Sequence, residues 1–345
     1  MTSSAEVSPA GNDTGGGDPI RVAIVGAGRA GELHVAACGR LSHLFSLSAV
    51  VDPSERAARR IAPDIALARV ATVEELIRSS RIDAAIVASP HAFHTSQVRA
   101  LVEAGIPTLV EKPMATNPTD CADLGDLATA RGCPLVAGYL QRYLPSVQAA
   151  RDLLIDGAVG QLRQVVSNHA SRYEPGTRPD WFLDESVGTG GIVTNIGSHA
   201  VDRVLALAQP AEVSVSYAWA ARRGVIVDAA FALDLGDGRS AICTLTGTAL
   251  PESEVTHIIG TTGAISITPD AGVILYREGQ PVCTRPPHPN EVDQAFDAQL
   301  IDFHAAVRGQ AAVVDATYGV RVSQLLQQVQ LLAMPTSKEG QVRNA

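Results

Sequence analysis

Three side chains in this sequence could together manage a proton and a developing oxyanion. Lys112 lies in Val110-Glu111-Lys112-Pro113-Met114, and Asn195 and His199 lie in the run Gly190–His199. An ammonium can donate a hydrogen bond to an alkoxide and stabilise its charge. Desolvation beside a cofactor would lower its pKa enough to let it relay a proton. A histidine titrates near neutrality and is the better base. Asn195 and His199, at i and i+4, would share one face of a helix and could line one pocket. An asparagine cannot carry a proton, so its part is to position a substrate hydroxyl. Oxidising an alcohol removes its proton as the C–H bond breaks, so this trio requires a hydride acceptor close by.

The acceptor's binding signature lies upstream. The apolar strand Ile20–Val25 runs directly into Gly26-Ala27-Gly28-Arg29-Ala30-Gly31, followed by a helical pattern over Glu32–Leu41 and a second strand, Leu47–Val51. In that context the glycines have separate tasks: Gly26 for a tight turn, Gly28 for backbone approach to a pyrophosphate, and Gly31 for close helix–strand packing. The helix N-terminus offers unpaired N–H groups to phosphate. Asp52, 21 positions after Gly31, stands where a carboxylate accepts both adenosine ribose hydroxyls and repels a 2′-phosphate. The cofactor expected is NAD, with NADP possible through Arg56, Arg59 or Arg60.

The elements that must position these groups alternate through the first half. Strands are expected at Ile82–Ala88, Pro107–Glu111 and Pro134–Ala137, with helices at Glu74–Arg78, from His94 to Ala104 and at Pro118–Arg131. Apolar strands separated by helices imply a parallel sheet covered on both faces. Ligands then gather at the strands' carboxyl ends, where Ser89, Pro90, Glu111 and Lys112 fall. His94 opens a helix there and fits either a cofactor contact or a cap. Glu111 is better suited to anchoring its turn.

Beyond Tyr143 the pattern changes. Helices are expected at Tyr143–Asp156 and Asn195–Leu207, and strands at Leu162–Ala170, Glu212–Ala220, Val225–Leu235, Ser240–Thr248, Val255–Gly260, Ala264–Thr268 and Val273–Arg277. Turns such as Gly236-Asp237-Gly238 read as hairpins, so this sheet should be mostly antiparallel. Closing helices are expected near Ala295–Val307 and Gly319–Met334. The fold class is therefore α/β: an N-terminal Rossmann doubly wound parallel sheet, then an α/β domain with a large open antiparallel sheet. The expected division is a disordered tail 1–18, a nucleotide domain 19–140, a substrate and oligomerisation domain 141–335, and a flexible tail 336–345. One face of the second sheet needs cover, and a second copy of the chain would supply it.

Composition narrows the partners. The formal net charge of −9, with no basic block, argues against nucleic acid and membrane surfaces. No apolar run reaches the roughly 18 residues that span a bilayer. Tail residues 1–18 lack the basic start and apolar stretch of a signal peptide. Five scattered cysteines without CxxC spacing read as reduced thiols of a cytoplasmic protein, and no metal site is expected.

The glycine run, Glu111-Lys112-Pro113 and Gly190-Gly191-Ile192-Val193-Thr194-Asn195-Ile196-Gly197-Ser198-His199 occur in an order that resembles the glucose–fructose oxidoreductase and inositol dehydrogenase family (Gfo/Idh/MocA) over residues 20–334. The resemblance implies an NAD(P)-dependent dehydrogenase or reductase acting on a sugar, cyclitol or related small polyol, assembled as a homodimer or homotetramer. By it Lys112 matches the catalytic lysine, His199 the acid/base histidine, and Asn195 a position that is aspartate in many members. Arg142, Arg172, Tyr173, Asp180 and Trp181 become candidates for either substrate contacts or the domain interface, with Asp202 able either to orient His199 or to make a structural bond. Two other readings stay open: a glycosidase of the same family that uses NAD transiently, and a non-catalytic nucleotide sensor.

Overall fold

The computed structural model describes residues 18–63, 68–79, 81–247 and 252–333. The expected tails, apart from Asp18, lie outside the described residues, as do Thr248 and Met334 at the ends of two expected elements.

The first half alternates β1 (Ile20–Val25), α1 (Arg29–Arg40), β2 (Phe45–Val51), α2 (Glu55–Ile61), β3 (Ala68–Val70), α3 (Val73–Ser79), β4 (Ala84–Val87), α4 (His94–Glu103), β5 (Thr108–Glu111), α5 (Pro118–Arg131) and β6 (Leu135–Gly138). The strands form one six-stranded sheet in the order β3-β2-β1-β4-β5-β6, every pair parallel. All four residues of β4 are buried, as expected of a strand covered on both faces. The strand order reverses between β1 and β4, which opens a crevice at their carboxyl ends. Local signals set the helix limits. The Asn117 side chain accepts from Asp120 N at 2.8 Å to start α5, Pro118 occupies its first turn, and Gly132 at φ 58° ends it.

The second half contains α6 (Pro145–Ile155), β7 (Leu162–Ala170), α7 (Glu185–Gly188), α8 (Ser198–Ala208), β8 (Ser214–Arg223), β9 (Val225–Asp234), β10 (Ser240–Thr246), β11 (Ser253–Gly260), β12 (Ala264–Thr268), β13 (Gly272–Arg277), β14 (Gln280–Arg285), α9 (Glu291–Val307) and α10 (Ala316–Leu332). Its eight strands run β14-β13-β12-β11-β7-β10-β9-β8, with β7–β10 the one parallel pairing. In β7 the alternation turns Val165, Ser167 and His169 inward beneath α8. The opposite face carries exposed Tyr217, Trp219 and Ile242. Every residue of α8 except His199 is buried.

The last two helices return to the first sheet. Phe296 of α9 meets His34 edge-on at 4.9 Å, and Phe303 stacks on Phe45 at 6.4 Å. Helix α10 packs on both α5 and β8, joining the two sheets. Among the described residues, no helix is long and apolar enough to cross a membrane.

Four elements were not anticipated, one of them the single turn α7. Helix α2, capped by Ser54, is a short arginine-rich turn without an apolar stripe, and β3 has three residues. Strand β14 is exposed along its whole length and contains Pro281, so it shows neither alternation nor a hydrophobic run.

Candidate active site

The glycine loop has the shape that its three tasks require. Gly26 adopts φ +102°, and a Cβ there would sit 2.6 Å from Ser89 N; one on Gly31 would sit 2.0 Å from Gly26 O. A Cβ on Gly28 would meet nothing within 4 Å, so the side of the loop meant for a pyrophosphate is open. No side chain caps the N-terminus of α1 at Gly28, leaving that end to an anion. Asp52 is fixed at the carboxyl end of β2, where its oxygens accept from Ala27 N and Ser54 N, both at 2.8 Å. Two of the three arginines that could have welcomed a 2′-phosphate are engaged, and the third, Arg56, is exposed and makes no ion pair among the described residues. Arg60 donates to Ala27 O at 2.9 Å and pairs with Glu32 at 3.3 Å; Arg59 pairs with Glu55; and exposed Arg29 lies 3.5 Å from Glu32. These residues fit NAD, and the domain is an NAD-binding Rossmann fold.

Around this cradle His94 and Glu111 act as braces, the anchoring role already expected of Glu111. His94 is fully buried, with its ring nitrogens 2.8 Å from Pro113 O and 2.8 Å from Ser89 O. It therefore ties the loop after β4 to the turn carrying Lys112, and neither nitrogen is left for a ligand. Glu111 binds His34 of α1 at 2.9 Å and accepts from Lys112 N at 3.3 Å. Ser89 donates to Gln97 at 2.6 Å, and Pro90 starts a short 3₁₀ turn.

Lys112 leaves the end of β5 and crosses to the second domain. Its Nζ donates to both the backbone oxygen and Oδ1 of Asn195, each at 2.9 Å. Asn195 sits in a π-helical turn, Val193–Gly197, immediately before α8. Its carbonyl also accepts from Ser198 Oγ at 2.9 Å, so the widened turn presents an oxygen that a regular helix would have bonded internally. The Tyr173 hydroxyl, beside the Asn195 side chain, donates to Phe182 O at 3.3 Å. Asn195 thus positions Lys112, and the simple i, i+4 face expected for it and His199 is replaced by a π turn running into α8. Burial, with Glu111 opposing and Arg178 assisting, pushes Lys112 down to about 8.

His199 is held well below its ordinary value by burial, then by the charges of Lys112, His169, Arg203 and Arg178. It is a neutral imidazole at pH 7, and its Nδ1 has no hydrogen-bond partner among the described residues. His199 lines a cleft of about 340 Å³ together with Gln141, His169, Ser171, Glu252 and Glu254. Behind it, Arg203 binds Glu254, donates to Gln141 at 2.9 Å and reaches Thr256 at 3.1 Å, while His169 lies 3.8 Å from Glu254. This network was not anticipated. The available signals were His169 on the inward phase of β7 and Arg203 four positions after His199.

The expected substrate contacts divide. Tyr173 is buried beside Asn195, and Arg178 lies over its ring at 4.8 Å. Arg172 is on the rim, paired with Glu174 at 2.8 Å. Trp181 stacks on Phe182 at 3.7 Å and packs edge-on against buried His91 at 4.9 Å, where it bridges the two domains; Asp180 beside it is exposed. Arg142 is removed from the cleft: it binds buried Asp202 at 3.0 Å and lies 4.0 Å from the Tyr318 ring centroid. Tyr318 also donates to Asp202 at 2.6 Å, which gives Asp202 the structural bond and not the orientation of His199.

Known proteins share this fold. Residues 20–139 match the oxidoreductase family model described as an NAD-binding Rossmann fold, and residues 147–266 match the GFO/IDH/MocA C-terminal domain. The rhizopine catabolism protein MocA of Rhizobium meliloti is 28% identical over 85% of this chain and 88% of its own length. The myo-inositol dehydrogenase Hyg17 of Streptomyces leeuwenhoekii is 38% identical over 44% of this chain and 47% of its own. The crystal structure of GenD2 from gentamicin A biosynthesis, in complex with NAD, superposes with TM-score 0.82 at 23% identity, covering 95% of this chain and 97% of that one.

The Lys112–Asn195 contact makes a prediction about stability. Lys112 has a folded pKa of about 8 against an ordinary 10.5, so between those values the unfolded chain binds a proton that the folded chain does not. Its contribution to stability is therefore lower below pH 8 and rises as the pH climbs toward 10.5. Asn195→Asp places a carboxylate on the ammonium, raising its pKa by about 1–3 units. Thermal unfolding should show the variant's advantage over wild type to be largest near pH 7.5 and to shrink toward pH 10. An advantage that does not vary with pH would contradict this pairing.

Proposed function

This chain belongs to the GFO/IDH/MocA oxidoreductase family, and from that premise we propose that it moves a hydride between NAD and a hydroxyl-bearing carbon of a sugar, cyclitol or related small polyol. It is an NAD(P)-dependent oxidoreductase of CH–OH groups. The observation that carries the finer reading is the Lys112 ammonium, held by two Asn195 oxygens at 2.9 Å beside a neutral His199 that opens into the cleft. The bound nicotinamide supplies the hydride acceptor.

Lys112 donates a hydrogen bond to the substrate oxygen and stabilises the charge that grows on it as the C–H bond breaks. Asn195 holds the ammonium in place without neutralising it. His199, uncharged at pH 7 because burial and neighbouring cations oppose its protonation, receives the hydroxyl proton. Glu111, anchored to His34, and His94, set between Ser89 and Pro113, keep the lysine turn rigid against the glycine loop. The Trp181–His91 contact closes the junction of the domains and helps exclude water.

Two features of the surroundings belong to the same reading. The cysteines among the described residues are all free, which suits a cytoplasmic enzyme. The sheet face bearing Tyr217 and Trp219, 57% and 50% exposed, suits self-association into a homodimer or homotetramer.

Lys112→Met should lower kcat by about 10²–10³ with a polyol substrate and leave NADH binding, followed by its fluorescence, intact. Undiminished turnover would remove Lys112 from the mechanism. Sedimentation velocity should give a dimer or tetramer for the wild type and a monomer for Trp219→Glu. A monomeric wild type would refute the interface.

A further inference from the structure

We propose that the cleft takes a substrate bearing a carboxylate, a sugar acid or cyclitol acid, and that Arg178 is the residue that grips it. The inference rests on the polyol-oxidising reading above and names the substrate class of that site.

Lys112 donates only to neutral oxygens, both belonging to Asn195. Arg178 also has only neutral partners: its Nε donates to Arg172 O at 3.1 Å, its Nη2 bonds Ser171 Oγ, and its plane lies over Tyr173. Its Nη1 makes no hydrogen bond among the described residues. Ser171 lines the cleft and Arg178 bonds it from behind, so the guanidinium is one side chain away from the cleft, and His199 and Lys112 both feel its charge.

The carboxylates nearby are mostly answered by other groups. Glu254 is bound by Arg203, Glu174 by Arg172, Glu185 lies 3.5 Å from Arg222, and Glu111 hydrogen-bonds His34. Glu252 accepts the Arg172 backbone N–H at 3.1 Å and acts on Arg178 only from a distance, without an ion pair. Lys112, Arg178 and Arg203 therefore stand behind a lining that carries Glu252 and Glu254, with Asn195 where a carboxylate would have neutralised the lysine.

A neutral polyol could use Lys112 and His199 but would leave the free edge of Arg178 unanswered. A carboxylate accepts two parallel bonds from a guanidinium, and in a partly desolvated wall that pairing is strong and directional. The hydroxyl carbon to be oxidised would then lie at Lys112 while the acid group is held at Arg178. The volume of about 340 Å³ suits a single sugar or cyclitol ring.

The test compares matched pairs, D-glucuronate with D-glucose and quinate with myo-inositol, by NADH formation and by calorimetric binding to the NADH-loaded enzyme. At least one acid should exceed its neutral partner in kcat/KM by about tenfold or more. Arg178→Met should lower that acid's kcat/KM by about 10- to 100-fold and collapse the acid-to-neutral ratio, while Arg178→Lys restores part of it. Neutral members used as well as their acids, or an equal loss for both classes in Arg178→Met, would overturn the proposal. If no member of any pair reduces NAD, the dehydrogenase reading fails, and calorimetry still decides this one. Tighter binding of the acid that depends on Arg178 upholds it, and equal affinities sink it.

Discussion

The arrangement turns on one buried ammonium that has no carboxylate in direct contact among the described residues. Lys112 is held by two oxygens of a single residue, Asn195, and both are neutral. Moving its pKa from 10.5 to about 8 corresponds to a penalty of about 3 kcal/mol on the charged form. Two charge-assisted hydrogen bonds offset part of what burial removes, and they fix the direction of the remaining N–H. That leaves a cation that is still charged at neutral pH, aimed, and ready to be satisfied by an oxygen that gains negative charge. A carboxylate in place of Asn195 would make the lysine more comfortable and less responsive.

Most of the fold near the cleft serves to hold this contact across two domains. The parallel sheet brings Lys112 out at a carboxyl end next to the glycine loop, and His94 and Glu111 prevent the turn from drifting. On the other side, α8 is buried on all faces except at His199, so the π turn ahead of it cannot move without disturbing the core. The helix α10 packs on elements of both halves and limits their relative motion. Dinucleotide cradle, ammonium and imidazole are thereby kept in one frame.

What could be read from the sequence follows the range of each interaction. The glycine loop was legible residue by residue, because Gly26 and Gly31 meet local backbone demands that no other residue type meets and Gly28 keeps the loop open toward a ligand. Lys112 and His199 were legible as a pair only through their positions at expected element ends and the family resemblance. Asn195 was read as a substrate contact on a regular helix; a π turn leaves no local signal, so its hold on Lys112, 83 residues away, was invisible. Arg142 was misplaced for a similar reason, since its partner Asp202 lies 60 residues along the chain. The Arg203–Glu254–His169 network depends on β11 pairing beside β7, a register that strand alternation alone does not specify. Helix α2 escaped because it buries only Ala58 and Ile61, too few for a periodicity to show, and strand β14 because it buries no residue.

The central claim is a division of labour in which His199 must be neutral and Lys112 must be charged, and the pH dependence of kcat/KM for alcohol oxidation tests it most directly. His199 is depressed well below 6.5, so its protonation should stop catalysis only as the pH falls below that value. Lys112 loses its proton near 8, so the rate should fall again as the pH rises through that value. The account predicts a bell with its acid limb below 6.5 and its alkaline limb near 8. A rate that rises through pH 8 to a plateau would make Lys112 the proton acceptor and contradict it.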